Sequence, residues 1–322
     1  MSIWHIYGGN RLTGSTRVQG AKNAVLPIMA ASVLSGGETV LHNVPDLRDV
    51  TTTLRILQHL GCTAVRDGDT VRIDSRGMHC DFIPHALMRE LRSSVIFLGA
   101  ILARFGTARL SMPGGCELGP RPVNLHLDAL RALGAEVTER GGDIICRAHA
   151  LQGRRILLPF PSVGATENAM LAACAAAGET VICNAAREPE IADLQCYLRK
   201  LGADISGAGT STVTVGGFRP RPFVEHTIMP DRIVAATILC AAAACGGEVE
   251  LQDVDPAHFS TVLDSLSEAG CAIITTASAV RLTSDGQLTA PRPVVTQPYP
   301  GFPTDAQPPL MAACLRAKGT TV

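Results

Sequence analysis

The sequence predicts an α/β protein built from a repeated unit of about 70 residues. In each unit an Ala- and Leu-rich helix is followed by Gly and a short strand. A second, amphipathic helix then ends at another Gly, and two strands typical of a hairpin close the unit. The glycines after the first helix stand at positions 37, 106, 178, 247 and 319, so the unit recurs every 69 to 72 residues.

Local signals support each element of the unit. Gly after a helix is a common C-cap, because it enters the left-handed region at little cost. The second helices end at Leu60-Gly61, Leu133-Gly134, Leu201-Gly202 and Ala269-Gly270. The hairpin of the first unit is predicted over residues 62–65 and 70–73, and Gly207-Ala208-Gly209 predicts a hairpin turn in the third.

Length and composition limit the class of protein. A chain of 322 residues predicts about two domains, and 46% hydrophobic with only 4% aromatic residues predicts a small-residue aliphatic core. The net charge of −1 disfavours a nucleic-acid partner or an anionic membrane surface. The N-terminus lacks a basic segment followed by an apolar one, and the longest apolar run, 233–245, is too short to span a bilayer. We therefore expect a soluble cytosolic protein.

The eleven cysteines predict neither a disulfide framework nor a zinc site. Their number is odd, no pair has C-x-x-C spacing, and several lie in Ala-rich helical segments, where Cys behaves as a small hydrophobe.

The segment Pro113–Arg121 is the strongest candidate for chemistry. Three glycines and two prolines in nine residues predict a tight loop rather than a helix or strand. It would hold the thiol of Cys116 and the guanidinium of Arg121 in a fixed relation, which suits proton transfer on an anionic substrate. The alternative is that Cys116 is one more small buried cysteine.

Two cations stand where apolar helices begin. Lys22, in Gly20-Ala21-Lys22-Asn23, opposes the helix dipole, and a bound anion would explain it. The alternative is a solvated surface lysine. The same argument applies more weakly to Arg92.

Acidic residues also stand near helix starts. Asp305 precedes the helix predicted over 308–317 and is either a base or a helix cap. Asp231, Glu188 and Glu190 also precede or begin helices, and the cap interpretation is stronger for them.

Six motifs occur in order within this repeat: Gly20-Ala21-Lys22-Asn23-Ala24, Pro113-Gly114-Gly115-Cys116, Arg121-Pro122-Val123-Asn124-Leu125-His126, Ser162-Val163-Gly164-Ala165-Thr166, Ala186-Arg187-Glu188-Pro189-Glu190-Ile191 and Phe302-Pro303-Thr304-Asp305. Together they resemble the UDP-N-acetylglucosamine 1-carboxyvinyltransferases, a family of enolpyruvyl transferases, from the N-terminus to Val322. The resemblance implies two similar domains, each an inside-out α/β prism of three repeats. Residues 1–21 with 230–322 would form one domain and 22–229 the other.

The resemblance also implies the reaction. The 3′-hydroxyl of UDP-N-acetylglucosamine would attack C2 of phosphoenolpyruvate, and phosphate would leave. Cys116 matches the general acid, Asp305 the acceptor of the hydroxyl proton, and Lys22 and Arg121 the clamp on phosphate and carboxylate, with Asn23 beside Lys22. The positions that match contacts to the nucleotide sugar are Arg92, Arg121, Pro122, Val123, Asn124, Leu125, Ser162, Val163 and Gly164. The resemblance implies no metal or organic cofactor, and no nucleic-acid or membrane partner.

The chain departs from the family at several points, and alternatives stay open. The family often has Asp at Asn124 and Lys at Phe160, and it continues past Val322 with a further Arg that contacts phosphoenolpyruvate. We therefore expect an unfinished prism and little activity from the 322-residue chain. The alternatives are a 5-enolpyruvylshikimate-3-phosphate synthase, which lacks the Cys-bearing loop, and a non-catalytic paralogue that binds the nucleotide sugar. An RNA-phosphate-processing enzyme is disfavoured by the near-zero net charge.

Overall fold

The chain forms two units in a computed structural model that describes residues 3–111 and 123–322. One unit comprises Met1–Gln19 and Pro230–Val322, and the other Gly20–Met229. The domains expected from the sequence, 1–21 with 230–322 and 22–229, stay a prediction. The Ala21 N–H donates to the Met229 carbonyl, 2.7 Å away in the second unit. Most of the predicted Cys116 loop, together with Arg121 and Pro122, lies outside the described residues.

The helices fall into two groups, apolar ones that open a repeat and amphipathic ones that follow, with short 3₁₀ turns between some elements. The helices are α1 (Lys22–Ala31), α2 (Arg48–His59), α3 (His85–Glu90), α4 (Phe97–Phe105), α5 (Asn124–Ala132), α6 (Val163–Ala173), α7 (Pro189–Leu201), α8 (Arg232–Cys245), α9 (Ser260–Glu268) and α10 (Gln307–Cys314). The 3₁₀ turns are Ser32–Leu34, Arg92–Ile96, Pro256–Phe259 and Thr304–Ala306.

The strands are short, as the repeat predicts. They are β1 (Leu12–Arg17), β2 (Glu38–His42), β3 (Thr63–Asp67), β4 (Thr70–Asp74), β5 (Phe82–Ile83), β6 (Thr107–Ser111), β7 (Glu136–Arg140), β8 (Asp143–Arg147), β9 (Arg155–Leu157), β10 (Thr180–Cys183), β11 (Ala203–Ser206), β12 (Thr212–Phe218), β13 (Phe223–Thr227), β14 (Gly247–Gln252), β15 (Ala272–Thr275), β16 (Ala279–Ser284), β17 (Leu288–Thr289) and β18 (Ala317–Lys318).

The second unit contains three four-stranded sheets with one shared topology. Their orders are β13-β2-β4-β3, β5-β6-β8-β7 and β9-β10-β12-β11. In each sheet the first two strands are parallel and the others antiparallel. Each sheet is therefore one copy of the repeat, and β13, from the end of the unit, completes the first copy.

The apolar helices of this unit lie inside and the sheets outside. Helices α1, α4 and α6 are apolar on nearly every side, which requires burial all round. Strands such as β4 alternate buried and exposed side chains, so only one sheet face is covered. Gly99 lets α4 approach α6, because a Cβ there would lie 2.5 Å from the Asn168 carbonyl oxygen. The predicted inside-out α/β arrangement is confirmed.

The first unit follows the same plan around its own core. Its sheet has the order β1-β14-β16-β15, with β1 parallel to β14, and β17 pairs in parallel with β18. Helix α8 packs against α10. Their buried side chains, including Leu239 and Leu310, belong to a hydrophobic cluster separate from that of the second unit.

Some predicted helix ends were wrong. Gly106 is the C-cap of α4 with φ +72°, as expected, but α1 ends at Ala31 and a 3₁₀ turn follows. Gly37 serves a close approach instead, since a Cβ there would lie 2.3 Å from the Pro222 carbonyl oxygen. The helix predicted over 308–317 is α10, which ends earlier because Ala317 and Lys318 pair with β17.

Candidate functional site

Lys22 and Asn23 are the first two residues of α1. Ala21 occupies the N-cap position without a side-chain cap, and the first turn contains no acidic residue. The positive end of the helix dipole is therefore joined by a side-chain cation. Lys22 Nζ lies 3.5 Å from Asp49 Oδ2 on α2. This carboxylate is a partner that the sequence reasoning missed, and it balances part of the lysine charge without a bound anion.

A surface cavity of about 670 Å³ lies beside this pair, between the start of α2 and α3. Its lining residues are Arg48, Asp49, His85, Ala86, Arg89 and Glu90. The two acids face cations that do not line it, since Asp49 contacts Lys22 and Glu90 contacts Arg55. Among residues 3–111 and 123–322 no acidic partner lies within 4 Å of Arg48 or Arg89. The lining therefore carries two guanidinium groups and two carboxylates, and each carboxylate is paired with a cation outside the cavity. Arg92 begins the 3₁₀ turn just beyond α3.

The other predicted binding positions lie at the starts of α5 and α6. Val123 occupies the N-cap position of α5, and Asn124 and Leu125 are its first residues. Ser162 caps α6, with its hydroxyl oxygen accepting from the Ala165 N–H at 3.4 Å, and Val163 and Gly164 follow. Neither first turn contains an acid.

His126 joins these two helix starts. A Cβ on Gly164 would lie 2.7 Å from His126 Cε1, so glycine is needed for this approach. His126 Nδ1 accepts from Asn168 Nδ2 at 2.7 Å. The orientation of the Asn168 amide is set by the Gly99 N–H, 2.7 Å from Oδ1, and by the Val95 carbonyl, 3.0 Å from Nδ2. Nε2 therefore carries the ring hydrogen.

Burial lowers the pKa of His126 from 6.5 to about 4, so the ring is neutral at neutral pH. His126 stands in one of the six motifs, but no role follows for it from the sequence. The available signal was the spacing of apolar residues. His126 stands one residue before Leu127 and four before Leu130, which are both buried, so a histidine facing the core was indicated.

Asp305 lies in the 3₁₀ turn Thr304–Ala306 of the first unit, and its side chain is exposed. Ala306 is the N-cap residue of α10, and no side-chain cap hydrogen bond is present there. The cap interpretation of Asp305 is therefore wrong. Asp231 does cap α8, accepting from the N–H groups of Ile233 and Val234 at 2.8 and 3.1 Å.

The acids around the start of α7 were predicted to cap that helix, and the structure shows no such cap hydrogen bond from Glu188. Glu188 occupies the N-cap position, but its side chain makes no cap hydrogen bond, and Glu190 is 2% exposed. Sequence reasoning also missed Glu167 of α6, directly after the fourth motif. Burial first, then the negative charges of Glu190 and Glu188, raise the pKa of Glu167 well above its ordinary value.

The structure thus places the candidate residues in separate groups. Lys22 and Asn23 lie with Asp49, and Ser162 to Gly164 lie with His126, all in the second unit. Cys116, Arg121 and Pro122 lie outside the described residues. In the described parts of the chain, no group of three His, Cys, Asp or Glu side chains could hold a metal ion. No helix described between residues 3 and 322 has the length and apolar character needed to cross a membrane.

Comparison with known proteins gives consistent matches along nearly the whole chain. Residues 6–322 match the family described as EPSP synthase (3-phosphoshikimate 1-carboxyvinyltransferase). The chain is 45% identical to UDP-N-acetylglucosamine 1-carboxyvinyltransferase 2 of Caldanaerobacter subterraneus over 100% of its length and 77% of that protein. It is 48% identical to UDP-N-acetylglucosamine 1-carboxyvinyltransferase 1 of Symbiobacterium thermophilum, over 98% of this chain and 73% of that one.

Solved structures match in the same way. The enolpyruvyl transferase NikO from Streptomyces tendae gives a TM-score of 0.85 at 25% identity, over 98% of this chain and 75% of that one. EPSP synthase from Acinetobacter baumannii gives 0.70 at 21% identity, over 98% and 74%, and supports the fold alone.

Proposed function

The chain belongs to the carboxyvinyltransferases, and within them to the UDP-N-acetylglucosamine 1-carboxyvinyltransferase family; from this premise we propose that it transfers the enolpyruvyl group of phosphoenolpyruvate to the 3′-hydroxyl of UDP-N-acetylglucosamine. Phosphate is the second product, and the reaction is the first committed step of peptidoglycan synthesis. The observation that carries the proposal is 45 to 48% identity to two relatives of that name over 98% or more of the chain.

The start of α1 supports the phosphate-binding part of the proposal. Lys22 Nζ, Asn23 and the positive end of the helix dipole form a group that favours a phosphoenolpyruvate anion. Asp49, 3.5 Å from Lys22, limits where the ammonium group can lie. Arg121, which matches the second cation of the clamp in the family, would bind the same substrate in a bidentate manner.

The proton transfers are assigned by the family resemblance. The hydroxyl oxygen of the sugar bonds to C2, its proton passes to Asp305, and the methylene carbon takes a proton from Cys116. The methyl group then returns a proton to the Cys116 thiolate as phosphate leaves, which regenerates the double bond, and the proton held by Asp305 is released with the phosphate. The exposed carboxylate of Asp305, which caps no helix, is available for this role.

The nucleotide sugar is assigned to the starts of α5 and α6. Val123, Asn124, Leu125 and Ser162 to Gly164 stand there, and we assign Arg92 and Pro122 to the same substrate. Neutral His126, fixed between the two helices, keeps them in register. Phe160 is exposed at the position where the family often has Lys, so a contact that such a lysine makes to the nucleotide is not proposed for this chain. A cytoplasmic location and a link to cell shape and division stay predictions of the resemblance.

Phosphate release, measured on the chain extended to the length of its relatives, tests the substrate assignment. We expect phosphoenolpyruvate to give phosphate with UDP-N-acetylglucosamine and not with shikimate-3-phosphate, and Lys22→Ala to abolish it because the substrate anion loses its cation. Lys200→Ala, an exposed lysine of the same unit, is the matched control. Preference for shikimate-3-phosphate would support the second candidate, EPSP synthase, whose family description also matches the chain. Binding of UDP-N-acetylglucosamine without turnover would support the non-catalytic paralogue.

Fosfomycin labelling tests the assignment of the thiol. Burial raises the pKa of Cys62 to about 11 and of Cys146, Cys174 and Cys240 to about 12, so these thiols are unreactive near neutral pH. We expect a single mass shift that maps to Cys116 and disappears in Cys116→Ser. A shift at exposed Cys196 or Cys245 instead would overturn the assignment.

A further inference from the structure

Met229, the last residue of the second unit, is held on both sides of its backbone. Its N–H donates to Asp193 Oδ2 at 3.2 Å. Its carbonyl oxygen accepts from the Ala21 N–H at 2.7 Å. Ala21 is the N-cap residue of α1 and directly precedes Lys22. The Asp193 carboxylate is therefore joined to the start of α1 through one residue.

The Asp193 carboxylate is itself fixed. Its side chain on α7 is 11% exposed, and Oδ1 accepts from His226 Nε2 at 3.0 Å. His226 is 4% exposed, and its ring lies edge-to-face against Tyr197 with centroids 5.7 Å apart. The Tyr197 hydroxyl is hydrogen-bonded to Thr39 Oγ1 at 2.8 Å. This chain of contacts ties α7, β13 and β2 together behind Met229.

The residue before Met229 is held differently. The Ile228 N–H donates to the His42 carbonyl at 3.0 Å, and its carbonyl accepts from Asn43 Nδ2 at 3.0 Å. Up to Ile228 the chain is thus fixed by the end of β2. The Met229 N–H is instead hydrogen-bonded to a side chain, the carboxylate of Asp193. Removal of a largely buried carboxylate that accepts two hydrogen bonds destabilises its surroundings more than removal of an exposed one.

We propose that Asp193, oriented by His226, is a positioning residue for phosphoenolpyruvate. It fixes Met229, which fixes Ala21 and so sets the place of Lys22 and Asn23. The inference rests on the proposed function of Lys22 as a ligand of the substrate phosphate. Asp193 itself touches no substrate.

The kinetic test is Asp193→Asn. This change keeps the shape of the side chain but places an amide donor opposite one of the two groups that donate to Asp193, His226 Nε2 and the Met229 N–H. We expect the KM for phosphoenolpyruvate to rise about tenfold, because Lys22 is displaced, while the KM for UDP-N-acetylglucosamine changes less than about twofold. A merely structural role would lower apparent kcat by reducing the folded fraction and leave both KM values unchanged, which would overturn the inference.

Matched variants complete the test. Glu225 lies beside His226 on β13, and its exposed carboxylate contacts His42. Glu225→Gln removes this carboxylate, and we expect wild-type KM values from it. His226→Gln, whose amide nitrogen can replace Nε2, should keep the KM for phosphoenolpyruvate within about threefold, and His226→Leu should raise it about as much as Asp193→Asn. Equal KM values for His226→Gln and His226→Leu would contradict the role given to His226.

Hydrogen exchange separates this inference from the proposed function, because it needs no turnover. We expect the amides of residues 21–25 to exchange faster in Asp193→Asn than in wild type or Glu225→Gln. A wild-type chain extended to the length of its relatives that still gave no turnover would refute the proposed function and leave this measurement meaningful. Unchanged exchange in Asp193→Asn would overturn the inference even if wild type were active.

Discussion

His126 is the residue whose titration should be visible in the stability of the protein. Its pKa is about 4 in the folded chain and 6.5 when accessible, so between these values the unfolded state binds more protons. The contribution of His126 to stability is therefore fully present above pH 6.5 and is lost as the pH drops through 4, by about 3 kcal/mol in all.

Denaturant unfolding of wild type and His126→Asn above pH 6.5 and near pH 4 tests this effect. Asn can still accept from Asn168 but cannot titrate. We expect its destabilisation to shrink by about 3 kcal/mol at the lower pH, since wild type alone loses the His126 contribution. A destabilisation that is equal at both pH values would show that His126 is not buried as a neutral ring.

At the residue scale, the sequence predicted the Asp231 cap from position along one helix, failed for the caps expected of Asp305 and Glu188, and missed contacts with distant partners. The Asp231 cap was predictable because its two donors lie two and three residues away. Asp49, which lies 27 positions from Lys22, and Glu167, which faces Glu188 and Glu190 of another helix, could not be placed without the fold.

At the element scale, the contact between α4 and α6 depends on Gly99. A Cβ there would lie 2.5 Å from the Asn168 carbonyl oxygen and 2.7 Å from Oδ1, which accepts from the Gly99 N–H itself. Alanine would gain about 1 kcal/mol of helix propensity but force the two helices apart, so we expect Gly99→Ala to lose about 2 kcal/mol or more net. Urea unfolding measures the difference.

Gly217→Ala in β12 is the matched control, because no atom lies within 4 Å of a Cβ at that position. We expect it to unfold like wild type. An increase in stability for Gly99→Ala would mean that helix propensity dominates and that the helices are not in close contact at this point.

Elements with local signals were predicted well. The hairpin predicted over 62–65 and 70–73 is β3 and β4, over Thr63–Asp67 and Thr70–Asp74, because the turn residues stand between the strands. The predicted end of α1 was wrong, because Gly37 is required by the close approach of the Pro222 carbonyl oxygen, far along the chain, and not by the end of the helix. A glycine required by a distant backbone cannot be told from a helix cap in a single sequence.

At the scale of the whole molecule, the repeat predicted a short strand and a hairpin in each unit but not how the second unit closes. The strand that completes its first sheet, β13, comes from the end of the unit and pairs in parallel with β2. This pairing brings both ends of the unit together, and the Ala21 N–H lies 2.7 Å from the Met229 carbonyl oxygen. A continuous segment with its own core and adjacent ends meets the usual requirements of a domain.

We therefore expect residues 20–229, expressed alone, to fold. The isolated segment should unfold cooperatively in urea, because its three sheets and the interior helices α1, α4 and α6 need no residue from outside it. Residues 20–221 are the control, since they lack β13 and the Met229 contacts and leave β2 as an exposed edge. We expect this shorter segment to aggregate or to unfold without a cooperative transition. Equal stability of the two segments would show that β13 does not close the unit, and non-cooperative unfolding of 20–229 would show that its core depends on the rest of the chain.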